Sequence, residues 1–155
     1  MNCPNCSAPM RLVDQRDYFV CDYCGTFHFP RESAEGIRLL GKEADVDCPV
    51  CHEPLQAAAV EGHLVKACPR CKGILARQRA FAIIVDKRRA DYRGPKPPPK
   101  PIQDDERTRR VQCPSCGRVM DTHPYLGPGA VLVDTCGECA LVWLDRGEMT
   151  IIERS

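Results

Sequence analysis

The sequence predicts a small β-rich protein made of three tandem modules, each stapled by a metal ion, with a helix after the second and the third. Three observations carry this. All twelve cysteines fall into six Cys-x-x-Cys pairs: Cys3/Cys6, Cys21/Cys24, Cys48/Cys51, Cys68/Cys71, Cys113/Cys116 and Cys136/Cys139. Read in order, the pairs form three sets, with 14, 16 and 19 residues between the pairs of a set. Each set encloses too few residues to offset chain entropy with apolar burial alone, so each needs a staple.

Four thiolates from two tight turns fit a tetrahedral Zn²⁺. The reading is three four-cysteine zinc ribbons and three Zn²⁺, ligated in sequence order. Disulfide frameworks of secreted proteins rarely consist of CxxC pairs alone. Iron sites of the rubredoxin kind also use two CxxC turns, but with a longer gap and an aromatic surround, and aromatics are 6% of this chain. Catalytic zinc needs an open coordination position, and a full quartet leaves none. His28, His52, His63 and His123 are spread over all three modules and are read as surface or packing residues.

The N-terminus MNCPNCSAPM has neither a basic nor an apolar leader segment, and no apolar run reaches membrane-span length. A reducing cytoplasm is the expected compartment. The formal charge of +1 becomes about −5 once twelve thiols are deprotonated on three Zn²⁺. That is not the strongly basic surface of a dedicated nucleic-acid binder.

The first module spans 1–30. Each module opens with Cys-Pro-x-Cys, and a long apolar residue follows four positions after the second cysteine: Met10, Leu55 and Met120. Bulky or β-branched runs precede the second turn: Tyr18-Phe19-Val20, Leu64-Val65 and Val131-Leu132-Val133. They read as strands. Residues 31–47 form an acidic connector that Ile37, Leu39 and Leu40 can anchor to a ribbon. The second module, 48–91, continues from Cys71 in gapless register with the third, 113–155, from Cys139, so that Leu75 matches Trp143, Phe81 matches Met149 and Ile83-Ile84 match Ile151-Ile152. Asp145 and Glu148 have capping-box spacing and predict a helix running to the C-terminus. The match then predicts a helix over 78–90. Its apolar run Ala80–Val85 predicts burial on more than one side, against a neighbouring ribbon as well as its own. Trp143 is read as a core residue between the second turn and the helix. Between these modules, 92–112 contains Pro95, Pro97, Pro98, Pro99 and Pro101, a polyproline spacer extended over 94–101. It is expected to separate a ribbon pair, 1–91, from a tethered third.

The segment Cys136-Gly-Glu-Cys-Ala-Leu-Val-Trp-Leu-Asp-Arg-Gly-Glu-Met resembles the bacterial TFIIB-type zinc-ribbon family. That family carries CPxC near its start and C-x-x-C-G-G-x-W-L-D-x-G-E-L near its end. The resemblance is close over 113–155 and partial over 48–90, where Ala76-Arg77 replace Leu-Asp and Ala80 replaces Glu. Over 1–30 it extends only to the cysteine frame. Ala140 stands where the family usually has Gly. The resemblance implies zinc and the ribbon fold, and suggests transcription.

Residues 66–100 hold eleven Lys or Arg against Asp86 and Asp91. Arg70, Lys72, Arg77, Arg79 and Arg88 are the candidate phosphate contacts within it. No paired-carboxylate constellation, glycine-rich phosphate loop or nucleophile-base pair is present, so no enzyme is expected. Two function classes follow. One is a non-catalytic module or adaptor that binds another protein. The other is a nucleic-acid-binding or transcription-associated zinc ribbon.

Overall fold

The computed structural model describes residues 1–13, 18–29, 32–33, 35–96, 98, 104–125 and 131–154, except the side chains of Lys42, Glu106 and Arg107. The first module is a sheet of three short strands, β1 (Arg11–Leu12), β2 (Phe19–Val20) and β3 (Phe27–His28), in that order. The other two modules share one sheet. Its strands are β4 (Arg38–Asp47), β5 (Pro54–Val60), β6 (His63–Ala67), β7 (Ile74–Arg77), β8 (Asp121–Pro124), β9 (Leu132–Cys136) and β10 (Leu141–Leu144). They run antiparallel in the order β4-β5-β6-β7-β10-β9-β8.

The junction corrects the expected partition. β7 of the second ribbon pairs with its repeat-equivalent β10, with Leu75 opposite Trp143, Ile74 opposite Leu144 and Ala76 opposite Val142. The equivalent residues Leu75 and Trp143 therefore face each other at a local two-fold axis, which exchanges the flanking pairs Ile74–Leu144 and Ala76–Val142. The third ribbon is not tethered at a distance. It completes the sheet of the second, and the first ribbon is the separate sheet. Pairing β7 with β10 satisfies backbone groups that each ribbon alone would leave at an open edge.

The acidic connector is also more than a linker, since most of it is the edge strand β4. Register shifts on either side of Glu43, with Gly41 at φ +73°, bulge this strand. It thereby sends Ile37 to one core, Leu40 to a second, and Ala44 and Val46 to a third. Leu39, expected as an anchor, is 38% exposed. β5 and β6 are joined by Glu61-Gly62, both at positive φ, as a two-residue hairpin of this twist requires.

Side-chain alternation sorts the large sheet into two faces. Ala58, Val60, Ile74, Ala76, Val142 and Leu144 meet the helices α1 (Gln78–Asp91) and α3 (Glu148–Glu153). Leu55, Leu75 and Trp143 point to the opposite face, among the cysteines of the second and third ribbons and Met120. Trp143 is fully buried, but on the metal side of the sheet rather than under the helix. The first ribbon caps the end of that face, where Met10 and Phe19 pack with Leu40 and Ala59.

Helix α1 matches the expected span. It packs on its own β7 and on β10 and α3 of the other ribbon. Its burial is nevertheless one-sided: Phe81, Ile84 and Val85 are inside, while Ile83 is 48% exposed. A single stripe is enough because that stripe already bridges both ribbons. Helix α3 starts at Glu148 behind Gly147, with half of the expected capping box. Glu148 Oε2 accepts from the Asp145 amide at 2.8 Å, but the Asp145 carboxylate is engaged elsewhere. Of the proline segment, Pro97, Pro99, Lys100 and Pro101 lie outside the described residues. The chain bends at Gly94, and Tyr92 Oη donates to the Pro95 carbonyl at 2.8 Å. The short helix α2 (Asp104–Thr108) leads into the third ribbon.

Candidate metal centres

The twelve cysteines gather into three quartets in sequence order: Cys3, Cys6, Cys21, Cys24; Cys48, Cys51, Cys68, Cys71; and Cys113, Cys116, Cys136, Cys139. Within each, the four Sγ atoms lie within 4.8 Å of one another. Individual Sγ···Sγ separations are 3.6 Å for Cys3–Cys24, 3.5 Å for Cys6–Cys21 and 3.6 Å for Cys48–Cys71. Cys51–Cys68 is 3.5 Å and Cys116–Cys136 is 3.7 Å. A disulfide needs about 2.05 Å. A tetrahedron with Zn–S bonds of about 2.3 Å has edges of roughly 3.8 Å. The donor sets therefore fit Zn²⁺, three ions per chain. The first cysteine of every pair is buried, and the second is exposed or half-buried.

The backbone explains why each turn presents both sulfurs. The residue after the second cysteine donates its amide to the carbonyl of the first: Ser7 to Cys3, Gly25 to Cys21, His52 to Cys48, Lys72 to Cys68 and Gly117 to Cys113. Closing that turn takes a left-handed residue. All six positions comply, Ser7, His52, Lys72 and Ala140 at φ +53° to +64° and Gly25 and Gly117 at +72° and +75°. Proline at the second position of four of the turns removes a donor that the turn does not use. The amides that remain point at sulfur, as with Val50 and Cys51 to Cys48 Sγ, both at 3.4 Å.

These amides tune the thiols. At Cys68 burial pushes the thiol up, but the amides of Cys71 and Arg70 outweigh it and hold it at about 7. At Cys116 the Arg118 amide prevails over burial, again giving about 7. At Cys24 the Thr26 hydroxyl and amide bring the thiol down to about 6. Each quartet thus offers one thiolate near neutral pH, a first foothold for a cation.

A buried polar cluster braces the third ribbon. Asp134, 1% exposed, receives Arg109 Nη2 at 2.8 Å and Thr122 Oγ1 at 2.6 Å. Arg109 also reaches Asp145 at 2.7 Å, and Trp143 Nε1 donates to Asp145 at 3.2 Å. Burial beside Asp145 pushes Glu148 up to about 8. Gln78 ties the ribbons together by donating to the carbonyls of Cys136 and Leu141. Glu35 accepts the Gly147 amide at 2.9 Å, ahead of α3. Sequence reasoning missed Arg109, Asp134, Gln78 and Glu35, because their partners are distant in the chain.

Residues 47–78 and 112–155 match the transcription factor zinc-finger family, the TFIIB-type zinc ribbon. These two ribbons belong to that family. No curated protein and no solved structure matches the chain. The family match coincides with the two repeats that share a sheet and leaves out the first ribbon, which has the cysteine frame without the helix.

The candidate phosphate contacts do not form one surface. Arg88 is 9% exposed at its side chain and pairs with Glu61 at 3.3 Å and Glu153 at 2.9 Å, so it belongs to the brace between ribbons. Neighbouring Lys87 pairs with Glu61 and Asp91. Arg70 pairs with Glu53, and Lys72 Nζ donates to the Pro69 carbonyl. Arg77 is exposed on the metal side at the end of β7, and Arg79 lies on α1. The histidines stay outside the quartets. Among the described residues no helix is long and apolar enough to cross a membrane.

Proposed function

We propose that the chain is a non-catalytic, zinc-stapled interaction module that docks on another protein in a reducing compartment. The observation that carries this reading is the fate of the basic stretch. Arg88, Lys87 and Arg70 face carboxylates of the same chain, which removes the continuous cationic track that phosphate binding needs. Apolar side chains meanwhile stand in solvent: Tyr23, Phe27, Phe29, Leu64, Ile83 and Val119 are each 48–89% exposed. Phe27 and Phe29 both pack on Tyr18, at ring-centroid distances of 5.8 Å and 5.2 Å, so part of this surface is a contiguous apolar patch, the kind that favours a protein partner. The quartets serve folding, since a filled four-thiolate site has neither an open position nor redox chemistry.

The transcription-associated reading keeps the support of the family match, and its partner would be nucleic acid or a transcription protein. Pull-down with the zinc-loaded full chain, with and without nuclease, separates the classes. A protein retained after nuclease is the expected result. Loss of all captured material on nuclease treatment would transfer the reading to nucleic acid.

A further inference from the structure

The two-fold relation between the second and third ribbons exposes a difference that neither ribbon shows alone. Lys66 stands two residues before Cys68, as Asp134 stands two before Cys136. Arg77 stands six residues after Cys71, as Asp145 stands six after Cys139. Strand register confirms the equivalence. Lys66 is paired with Leu75, Leu75 with Trp143 and Trp143 with Asp134, one row across the metal face of the sheet.

In the third ribbon the two acids grip the guanidinium of Arg109, four residues before Cys113. In the second ribbon the two positions carry cations, and the residue four before Cys48 is Ala44, which has no charge to offer. Among the described residues, the side chains of Lys66 and Arg77 have no hydrogen-bond or ion-pair partner. Instead they line an open groove of about 680 Å³ floored by Leu64, Leu75 and Leu141, with no acidic side chain among the described residues of its wall.

We infer that this groove is a docking site for an acidic, leucine-rich peptide segment of a partner protein, whose carboxylates take the place across Lys66 and Arg77 that Arg109 takes across Asp134 and Asp145. The inference rests on the interaction-module reading and gives it a surface and a ligand chemistry. Charge complementarity selects the acid, and the exposed Leu64 and the leucine floor select apolar side chains between the acids. A peptide fits better than a nucleic acid for two reasons. Among the described residues the groove has no aromatic side chain on which a base would stack. Its rim includes Cys139, a thiolate of a zinc site whose net charge repels a polyanion, whereas one or two carboxylates meet the two cations alone.

The test uses the zinc-loaded full chain and fluorescence anisotropy at physiological salt. The probes are a labelled Leu-Asp-Leu-Asp-Leu peptide, its asparagine and arginine counterparts, and labelled oligo-dT of the same length. The expected result is that the aspartate peptide binds at least tenfold more tightly than the asparagine one. The double variant Lys66→Asp/Arg77→Asp should lose at least tenfold for the aspartate peptide and prefer the arginine peptide. Zinc content and circular dichroism should stay unchanged. Should the aspartates disturb folding, Lys66→Gln/Arg77→Gln must give the same loss without the switch. Absence of aspartate-peptide binding at millimolar concentration, equal binding of the asparagine peptide, or unchanged binding by the variants would overturn the inference. Tighter oligo-dT binding that the variants abolish would overturn it in favour of nucleic acid. A protein partner captured from lysate equally by wild type and variant would remove this groove and leave the interaction-module reading standing.

Discussion

Gly73 is a steric requirement of Trp143, and Gly73→Ala tests how tightly the two ribbons are fitted. A Cβ built on Gly73 would lie 2.2 Å, 2.5 Å and 3.0 Å from Cζ2, Cη2 and Cε2 of the indole. Carbon atoms in contact need about 3.5 Å, so ring and strand must separate by roughly 1 Å. The ring cannot swing away, because Trp143 is fully buried among the cysteines, Leu55 and Met120. Overpacking of this kind costs about 1–3 kcal/mol. Trp143→Leu reproduces the second ribbon's residue, Leu75, and costs on the order of 2 kcal/mol as a cavity. The double variant has room for the new methyl group, so its cost should fall short of the sum by about 1 kcal/mol or more. The assay is urea unfolding at fixed free zinc, followed by far-UV circular dichroism, because Trp143 is the only tryptophan. Additivity within about 0.5 kcal/mol, or a neutral Gly73→Ala, would refute the proposed contact.

Ala140, left-handed at φ +53°, should be relieved by Ala140→Gly, raising stability by up to about 1 kcal/mol; a loss in zinc-saturated unfolding would argue against this backbone state. Cys139→Ser should unfold the third ribbon and also loosen the second, since β7 and β10 share a sheet, while leaving the first ribbon protected; hydrogen exchange resolved by segment checks it. Chelation of all three ions should unfold the whole chain, because structural zinc in small peptides contributes roughly 10–16 kcal/mol, and retained circular dichroism after full removal would contradict the staple role. Glu148 is raised from 4.5 to about 8, so its folded form keeps a proton that the unfolded form releases. Its contribution to stability is therefore complete below pH 4.5 and is lost as pH rises to about 8, and Glu148→Gln should flatten that part of the stability profile.

The quartets, the strand entering each second turn and helix α1 were legible because their signals are local. Cysteine spacing, bulky runs and the repeat register do not depend on tertiary partners. The join between ribbons was hidden because a proline-rich segment reads as separation, whereas β7 and β10 meet through residues on either side of it. The basic stretch misled for a related reason. Phe81, Ile84, Val85 and Arg88 lie on one helical stripe, so Arg88 continues the buried face, and its carboxylate partners Glu61 and Glu153 lie far along the chain. The apolar run pointed to deeper burial of α1 than occurs, since Ile83 falls outside that stripe.

The axis between Leu75 and Trp143 has a consequence for what the surface can encode. Two identical ribbons meeting through that strand would be a homodimer, and any side chain chosen at one position would appear at its mirror position as well. A lysine facing one way would be a lysine facing the other. Carrying both ribbons on one chain lifts that constraint, so position 66 holds a cation while position 134 holds a buried acid. One half can be given over to holding the pair together, and the other is free to vary what it shows to the outside.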